Sequence, residues 1–356
     1  MGSTEALGTG VEAAGEPEDG RTAAEQARRA RQAPPVERAE PTVRGPRRFL
    51  LQDLGQTDFG LRRFKLRPQE ARSGLEEAGR SFLSGFNALI SRRTETIEDF
   101  REDLRGFAFE GAGMAAAVLD LVTLTGGRHV RELLNGPAAR YPHLVHVGIG
   151  WGYARMRARP MWGIKTAHPL LRWLAHDGYG FHQGFFATDA TVGAQRRPRT
   201  MSRAHRALVD QGLGRMLWFH ECAGPDDVAA RIAEFPPGRR ADLWSGVGLA
   251  STYAGQCDAE GLAALAAHAA ADGCRAHLAQ GGVFACSARI RSGIVPPHTA
   301  EAAPVLCGVE VDEAASWADE SLAALGESPA SHDDYQAWRA GIRRAWARGD
   351  KTRPDV

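Results

Sequence analysis

Lysine and asparagine are nearly missing from this chain of 356 residues: three lysines stand among 44 basic residues, and asparagine occurs only at Asn87 and Asn135. Such an Arg- and Ala-rich composition marks a high-GC genome and carries no chemistry. An excess of charge is missing too, with 44 basic against 43 acidic residues, so the positive surface that a nucleic-acid binder needs is not available. The five cysteines, Cys222, Cys257, Cys274, Cys286 and Cys307, include no C-x-x-C pair, which argues against a disulfide framework and a cysteine zinc site. No H-E-x-x-H spacing occurs, and His143 and His146 have no accompanying acidic pair, so no metal ligands are assigned. There is no P-loop, no G-x-S-x-G elbow and no C-x-x-C-H haem attachment. Gly148-x-Gly150-x-Gly152 lacks the G-x-G-x-x-G order and the later ribose-binding acid of a dinucleotide fold. The cofactor is therefore left unknown. Without a basic stretch followed by an apolar run at the N-terminus, the expectation is a cytoplasmic protein with free thiols and no transmembrane segment. The most apolar stretch, Phe107 to Thr125, is interrupted by Glu110 and Asp120 and reads as a buried helix.

What is present is the balance of a globular protein, 43% apolar and 24% charged. Residues 1–48 contain no Phe, Trp, Tyr or Ile and read as a disordered leader, with transient helix around Ala23 to Gln32. Structure is expected to start at Phe49 and to form one mainly α-helical domain over 49–348, followed by a tail at 349–356. Leu75, Ala78, Phe82 and Phe86 recur at helical spacing within Pro68 to Arg92. Asp312 to Arg348 reads as two helices around the break at Glu327–Pro329.

Several strings occur twice. Glu110-Gly-Ala-Gly113 answers Gln211-Gly-Leu-Gly214, Gly148-Ile-Gly150 answers Gly246-Val-Gly248, and Asp177-Gly178 with His182 answers Asp272-Gly273 with His277. The offsets of 95 to 101 predict two tandem pseudo-symmetric helical repeats, 105–200 and 208–297, with Asp-Gly closing a helix in each. A ligand cavity is then expected between the copies.

The polar residues at these strings are the candidates. Glu110-Gly111, Gln183-Gly184, Gln211-Gly212 and Gln280-Gly281 read either as close helix packing with a polar neighbour or as groups lining a cavity. In the second reading Glu110, the charged member, is the proton-transfer group. His182 lies in the run Tyr179-Gly-Phe-His-Gln-Gly-Phe-Phe186, where a desolvated imidazole has a tunable pKa, and is preferred over His277. Glu110, His182 and Asp177 are the catalytic candidates. Gln183, Gln211, Gln280, Tyr179, Phe185, Trp218 and Trp244 are the substrate-binding candidates. His220-Glu221 is read as a helix end reaching solvent.

Asp177-Gly-Tyr-Gly-Phe-His-Gln-Gly-Phe-Phe186, Asp210-Gln-Gly-Leu-Gly-Arg215 with Leu217-Trp-Phe219, and Arg239-Arg-Ala-Asp-Leu-Trp-Ser-Gly-Val-Gly-Leu249 resemble an actinobacterial family from enediyne biosynthetic gene clusters. That family is catalogued as a domain of unknown function, and the likeness covers roughly residues 47–345. It supplies no catalytic residues. It implies a role beside the enediyne polyketide synthase cassette proteins, in oxidative or halogenative tailoring of a linear apolar polyene toward the enediyne core. The alternative is a non-catalytic binding protein that shields the polyene and presents it to partner enzymes.

Overall fold

The computed structural model describes residues 43, 45–67, 69–165, 168–198 and 201–350, with backbone alone for Gln69 and Asp350. The leader's first 42 residues, Pro68 and the tail from 351 onward lie outside the described residues. Regular structure begins before Phe49, because Pro46–Leu50 already form a 3-10 turn. Among the described residues the fold is mainly helical, 74% helix with no strand.

The α-helices run in chain order as α1 (Phe59–Arg62), α2 (Gln69–Ile90), α3 (Arg105–Thr123), α4 (Arg128–Leu134), α5 (Pro142–Arg155), α6 (Leu174–Phe186), α7 (Arg203–His220), α8 (Pro225–Ala233), α9 (Pro237–Ala254), α10 (Ala259–Ala271), α11 (Arg275–Ser292), α12 (Pro297–Leu306), α13 (Val311–Ala323) and α14 (His332–Asp350). Local chemistry sets several starts. Proline opens α5, α8, α9 and α12, where the first-turn N–H would be unpaired in any case. Ser202 accepts from the His205 N–H at the start of α7, and Asp258 accepts from the Gly261 N–H at the start of α10. Helix α3 is long and apolar enough to cross a membrane by length and composition, and 89% of that stretch is buried inside this fold. A helix apolar on all sides needs neighbours all round, and α2 and α5 flank it.

Helices α2, α3, α5, α6, α7, α9 and α11 pack one against the next in a single series. Glycine explains how closely they approach. A Cβ on Gly111 would stand 1.8 Å from the Phe82 carbonyl oxygen, and one on Gly148 2.0 Å from the Glu110 carbonyl. Gly178, Gly212, Gly246 and Gly281 meet the carbonyls of Val147, Asp177, Gln211 and Ser245 at 1.8 to 1.9 Å in the same way. A second set faces the opposite direction: Gly150, Gly180, Gly214 and Gly248 would each put a Cβ 2.0 Å from the carbonyl of Ala175, Val209, Leu243 and Leu278. Backbone thus touches backbone at every crossing, and no side chain fits between.

This geometry changes the reading of the repeat. The first glycines of the crossings, at 111, 148, 178, 212, 246 and 281, stand 30 to 37 residues apart, and no break divides the series into two copies. The two Asp-Gly strings are not equivalent. Asp272-Gly273 ends α10, with Gly273 in the left-handed region at φ 68°, whereas Asp177-Gly178 lies inside α6 at a crossing. The structural counterpart of Gly178 is Gly281, so His182 and His277 are not matched positions: one follows its crossing glycine and the other precedes it.

The series curls back on itself. Phe107 at the start of α3 meets Tyr253 of α9 edge-on at 5.4 Å, and Arg289 of α11 donates to the Asp103 carbonyl at 3.1 Å. Helix α14 braces the other side, where Arg339 pairs with Asp242 at 2.8 Å and the Trp173 indole donates to the Ala330 carbonyl at 2.9 Å.

Gly212→Ala is expected to destabilise the protein by ~3 kcal/mol or more, because the added methyl meets a backbone oxygen that cannot move aside. Gly238→Ala, where nothing lies within 4 Å, is expected to be neutral or to gain up to about 1 kcal/mol. Urea unfolding of both variants checks the contrast, and equal stabilities would contradict this account of the crossings.

Candidate functional site

The residues just before the first five crossing glycines point their carbonyls at the next helix; Gln280, before Gly281, ends the series. In five of the six cases the side chain is polar: Glu110, Asp177, Gln211, Ser245 and Gln280, with Val147 the apolar exception. Close approach of the helices brings these side chains within bonding distance. Gln211 donates to Asp177 Oδ2 at 2.8 Å, Ser245 donates to Gln211 at 3.3 Å, and Gln280 donates to Ser245 at 2.9 Å. Arg343 of α14 donates to Gln280 and closes the ladder. Buried polar groups of this kind cost several kcal/mol unless paired, about 1–3 kcal/mol for each unmet group, and the ladder pairs them in sequence.

At the far end the ladder meets charge. Arg215, one helical turn after Gln211 on α7, donates to Asp177 Oδ1 at 2.6 Å and lies 3.3 Å from Glu110 Oε2. The Trp151 indole donates to Glu110 Oε1 at 3.0 Å. All three charged groups are buried, at 2%, 1% and 6% exposure for Glu110, Asp177 and Arg215. One guanidinium serves two carboxylates, so the trio would carry a net negative charge in a dry interior if both were ionised. Burial pushes the Glu110 carboxyl above its usual range, against the pull of Arg215, and the nearby Asp177 pushes it the same way. The two acids together raise Arg215 despite the cost of burial, which keeps it charged. Of the two acids, Asp177 has the closer contact with Arg215, and Glu110 is the one that burial pushes toward its neutral form.

Glu110 and Arg215 face a chamber of about 740 Å³ of atom-free space, open mouth included. Its walls are Phe82, Phe107, Trp151, Phe181, Phe185 and Phe219, together with Leu75, Leu83 and Met114, from helices α2 to α7. A second chamber of about 620 Å³ lies against it, sharing Phe107, Arg215 and Phe219.

The candidate residues separate clearly in the fold. Glu110, Asp177, Gln211 and Gln280 come together in one bonded chain, and Phe185 lines the first chamber. Gln183 is only half-buried and stands outside the ladder: its neighbour Gly184 meets the Leu213 and Met216 side chains instead of a carbonyl. Tyr179 is half-buried, and Trp218 and Trp244 are core indoles that donate to the Gly255 carbonyl and to Asp272. His182 is buried with both ring nitrogens unbonded, packed edge-on at 5.6 Å to Trp151 and 4.7 Å from the Phe186 ring. Burial, and then the charge of Arg155, lowers its pKa to about 3, so the ring is neutral and a poor base. Glu221 does not reach solvent. It is 1% exposed and accepts from Arg231 at 2.8 Å, with His220 beside it at the same distance.

Arg215, Trp151, Ser245 and Arg343 were not among the sequence candidates. A signal for Arg215 existed: it follows Gln211 by four residues, which puts both on one face of α7. Among the described residues no group of three His, Cys, Asp or Glu is placed to hold a metal ion.

Residues 43–346 match a protein family described as Protein of unknown function (DUF1702). The chain belongs to that family. No curated protein and no solved structure matches it. The DUF1702 region therefore takes in every residue of the ladder, the buried trio and both chambers.

A raised carboxyl pKa fixes the sign of a pH effect. The stability Glu110 contributes is complete below its ordinary value of 4.5 and is lost as pH rises through the higher folded value. Glu110→Gln removes that loss, so the variant is expected to be relatively more stable than the wild type at neutral and alkaline pH. A protonated-carboxyl stretch in the infrared spectrum at neutral pH should vanish in the same variant. Its absence from the wild type would show that Glu110 is ionised.

Proposed function

We propose that this protein binds a long apolar molecule in the chamber beside Glu110 and transfers a proton to or from it. One observation carries the reading: a buried carboxyl, its pKa raised, opens onto an apolar, aromatic-walled chamber while Trp151 and Arg215 hold it in place. A protonated carboxyl in such a setting can act as a general acid, and its conjugate base as a general base once a proton has left. Arg215 stands next to any negative charge that develops and can stabilise it. The aromatic walls suit a flat, conjugated or extended ligand.

The resemblance noted in the sequence narrows the ligand to a polyene of enediyne-type polyketide biosynthesis, handled in the cytoplasm beside the synthase and its cassette partners. Oxidative or halogenative tailoring of that polyene is the reaction class proposed for the pathway, with the oxidant or halogenating agent supplied by a partner enzyme of the cassette and Glu110 moving a proton on the bound polyene. The competing reading is a non-catalytic carrier that shields the polyene. The ladder favours it to this extent: Glu110 and Asp177 belong to a chain of bonds that also holds helices together.

Co-expression with an enediyne polyketide synthase and its thioesterase, followed by native mass spectrometry and absorption spectroscopy, separates these readings. A conjugated species is expected to co-purify with the wild type and to be lost from Ala78→Leu, which fills the chamber wall. Glu110→Gln is expected to retain the species while product formation falls at least a hundredfold, the usual scale for a lost acid–base group. Normal product from a folded Glu110→Gln would leave the carrier reading standing, and no bound species in the wild type would overturn both.

A further inference from the structure

On one side the second chamber is walled by Leu249, Ala250, Tyr253, Phe284, Ala285 and Trp338, from helices the first chamber does not touch; α5 and α6 contribute to both chambers. The two spaces meet at Phe107, Arg215 and Phe219. Arg215 is pinned there by Asp177 and Glu110 and lies 5.1 Å from the centre of the Phe181 ring, so its position in the shared wall is fixed. Two tyrosines with buried, unpartnered hydroxyls line the second chamber, Tyr253 and Tyr335, and of these the Tyr335 hydroxyl has Gln211 beside it. Tyr253 is 4% exposed, with the Arg289 guanidinium over its ring at 3.7 Å. Its hydroxyl is buried beside Gly106 and has no hydrogen-bond partner. Buried hydroxyls without partners are uncommon, and one in the wall of an apolar space suits a ligand oxygen.

We infer that the two chambers are one bipartite site, in which a single extended ligand passes Arg215 and ends in the second chamber. Its inner end carries a hydrogen-bond acceptor, such as a carbonyl oxygen, that receives the Tyr253 hydroxyl. Glu110 then acts on the part of the ligand in the first chamber, and Tyr253 sets which end enters first. This rests on the binding reading above and adds ligand length, ligand orientation and a specificity-determining residue.

Two fluorescent hydrocarbons of different length test it: 1,4-diphenylbutadiene and the longer 1,8-diphenyloctatetraene. The wild type is expected to bind both. Ala285→Leu, or Ala250→Leu should the first not fold, narrows the second chamber alone. Either is expected to weaken the long probe at least tenfold and to leave the short probe within twofold. Hexadecanal is expected to compete with the long probe roughly fivefold better than hexadecane, the scale of one hydrogen bond, and Tyr253→Phe to remove that difference. Equal effects of the alanine variants on both probes, or none on either, would overturn the bipartite site. An unchanged aldehyde preference in Tyr253→Phe would overturn the role of the hydroxyl. Failure of the wild type to bind even the short probe would instead count against the first chamber as a ligand site.

Discussion

The contact between a glycine and the carbonyl of the neighbouring helix is the constraint on which this fold depends. At ordinary helix separations of about 8–10 Å, side chains fill the space between axes. Here the reciprocal glycines remove the side chains at the crossing point, and the helices close to backbone contact. Once that happens, the residues flanking each glycine lie within reach of their counterparts on the next helix. A polar side chain in that register must bond its counterpart or remain unpaired. The sequence Asp177, Gln211, Ser245 and Gln280 meets the condition with one bond between each successive pair.

The direction of those bonds matters. Arg343, Gln280, Ser245 and Gln211 each donate toward the Asp177 end. Aligned donors polarise one another and strengthen the last bond, to the Asp177 oxygen. Asp177 also has Arg215 at 2.6 Å, whereas Glu110 has the same guanidinium at 3.3 Å and a neutral indole. Between two buried acids sharing one cation, burial weighs more heavily on the less supported one, here Glu110. The asymmetry puts the less supported acid, Glu110, at the chamber wall and the more closely paired one, Asp177, behind it.

Much of the site's composition is visible in the sequence, because the rule that builds it is local. A polar residue followed by glycine marks a crossing, which is why Glu110, Gln211 and Gln280 stand out before any coordinates. The same rule misleads at Gln183-Gly184, where the glycine meets side chains, and at Asp272-Gly273, where it ends a helix. Dipeptides do not reveal which glycines face a backbone. The spacing of the crossings is similarly ambiguous: a unit of 30 to 37 residues produces matches near 100 when some crossings carry better-preserved strings than others. Arg215 depends on curvature, since its two acids lie on helices α3 and α6, and no local pattern reports that the series bends.

That bend joins the packing rule to the chambers. A series of helices held at glycine contacts is stiff across each crossing, so curvature leaves space on the inner side that bulky residues must wall and do not fill. Phe107 and Phe219 occupy that inner side at opposite ends of the arc from α3 to α7 and border both chambers. Arg215 is the charged side chain in the wall the chambers share; its pair with Glu110 crosses the arc between the same two helices, and its pair with Asp177 joins α7 to the adjacent α6. Its removal would leave two acids facing an apolar space without a cation, a change costing about 3–5 kcal/mol for a buried pair. The arginine that closes the arc is thus also the group that sets the charge of the candidate site. Packing and chemistry at this position cannot be varied independently.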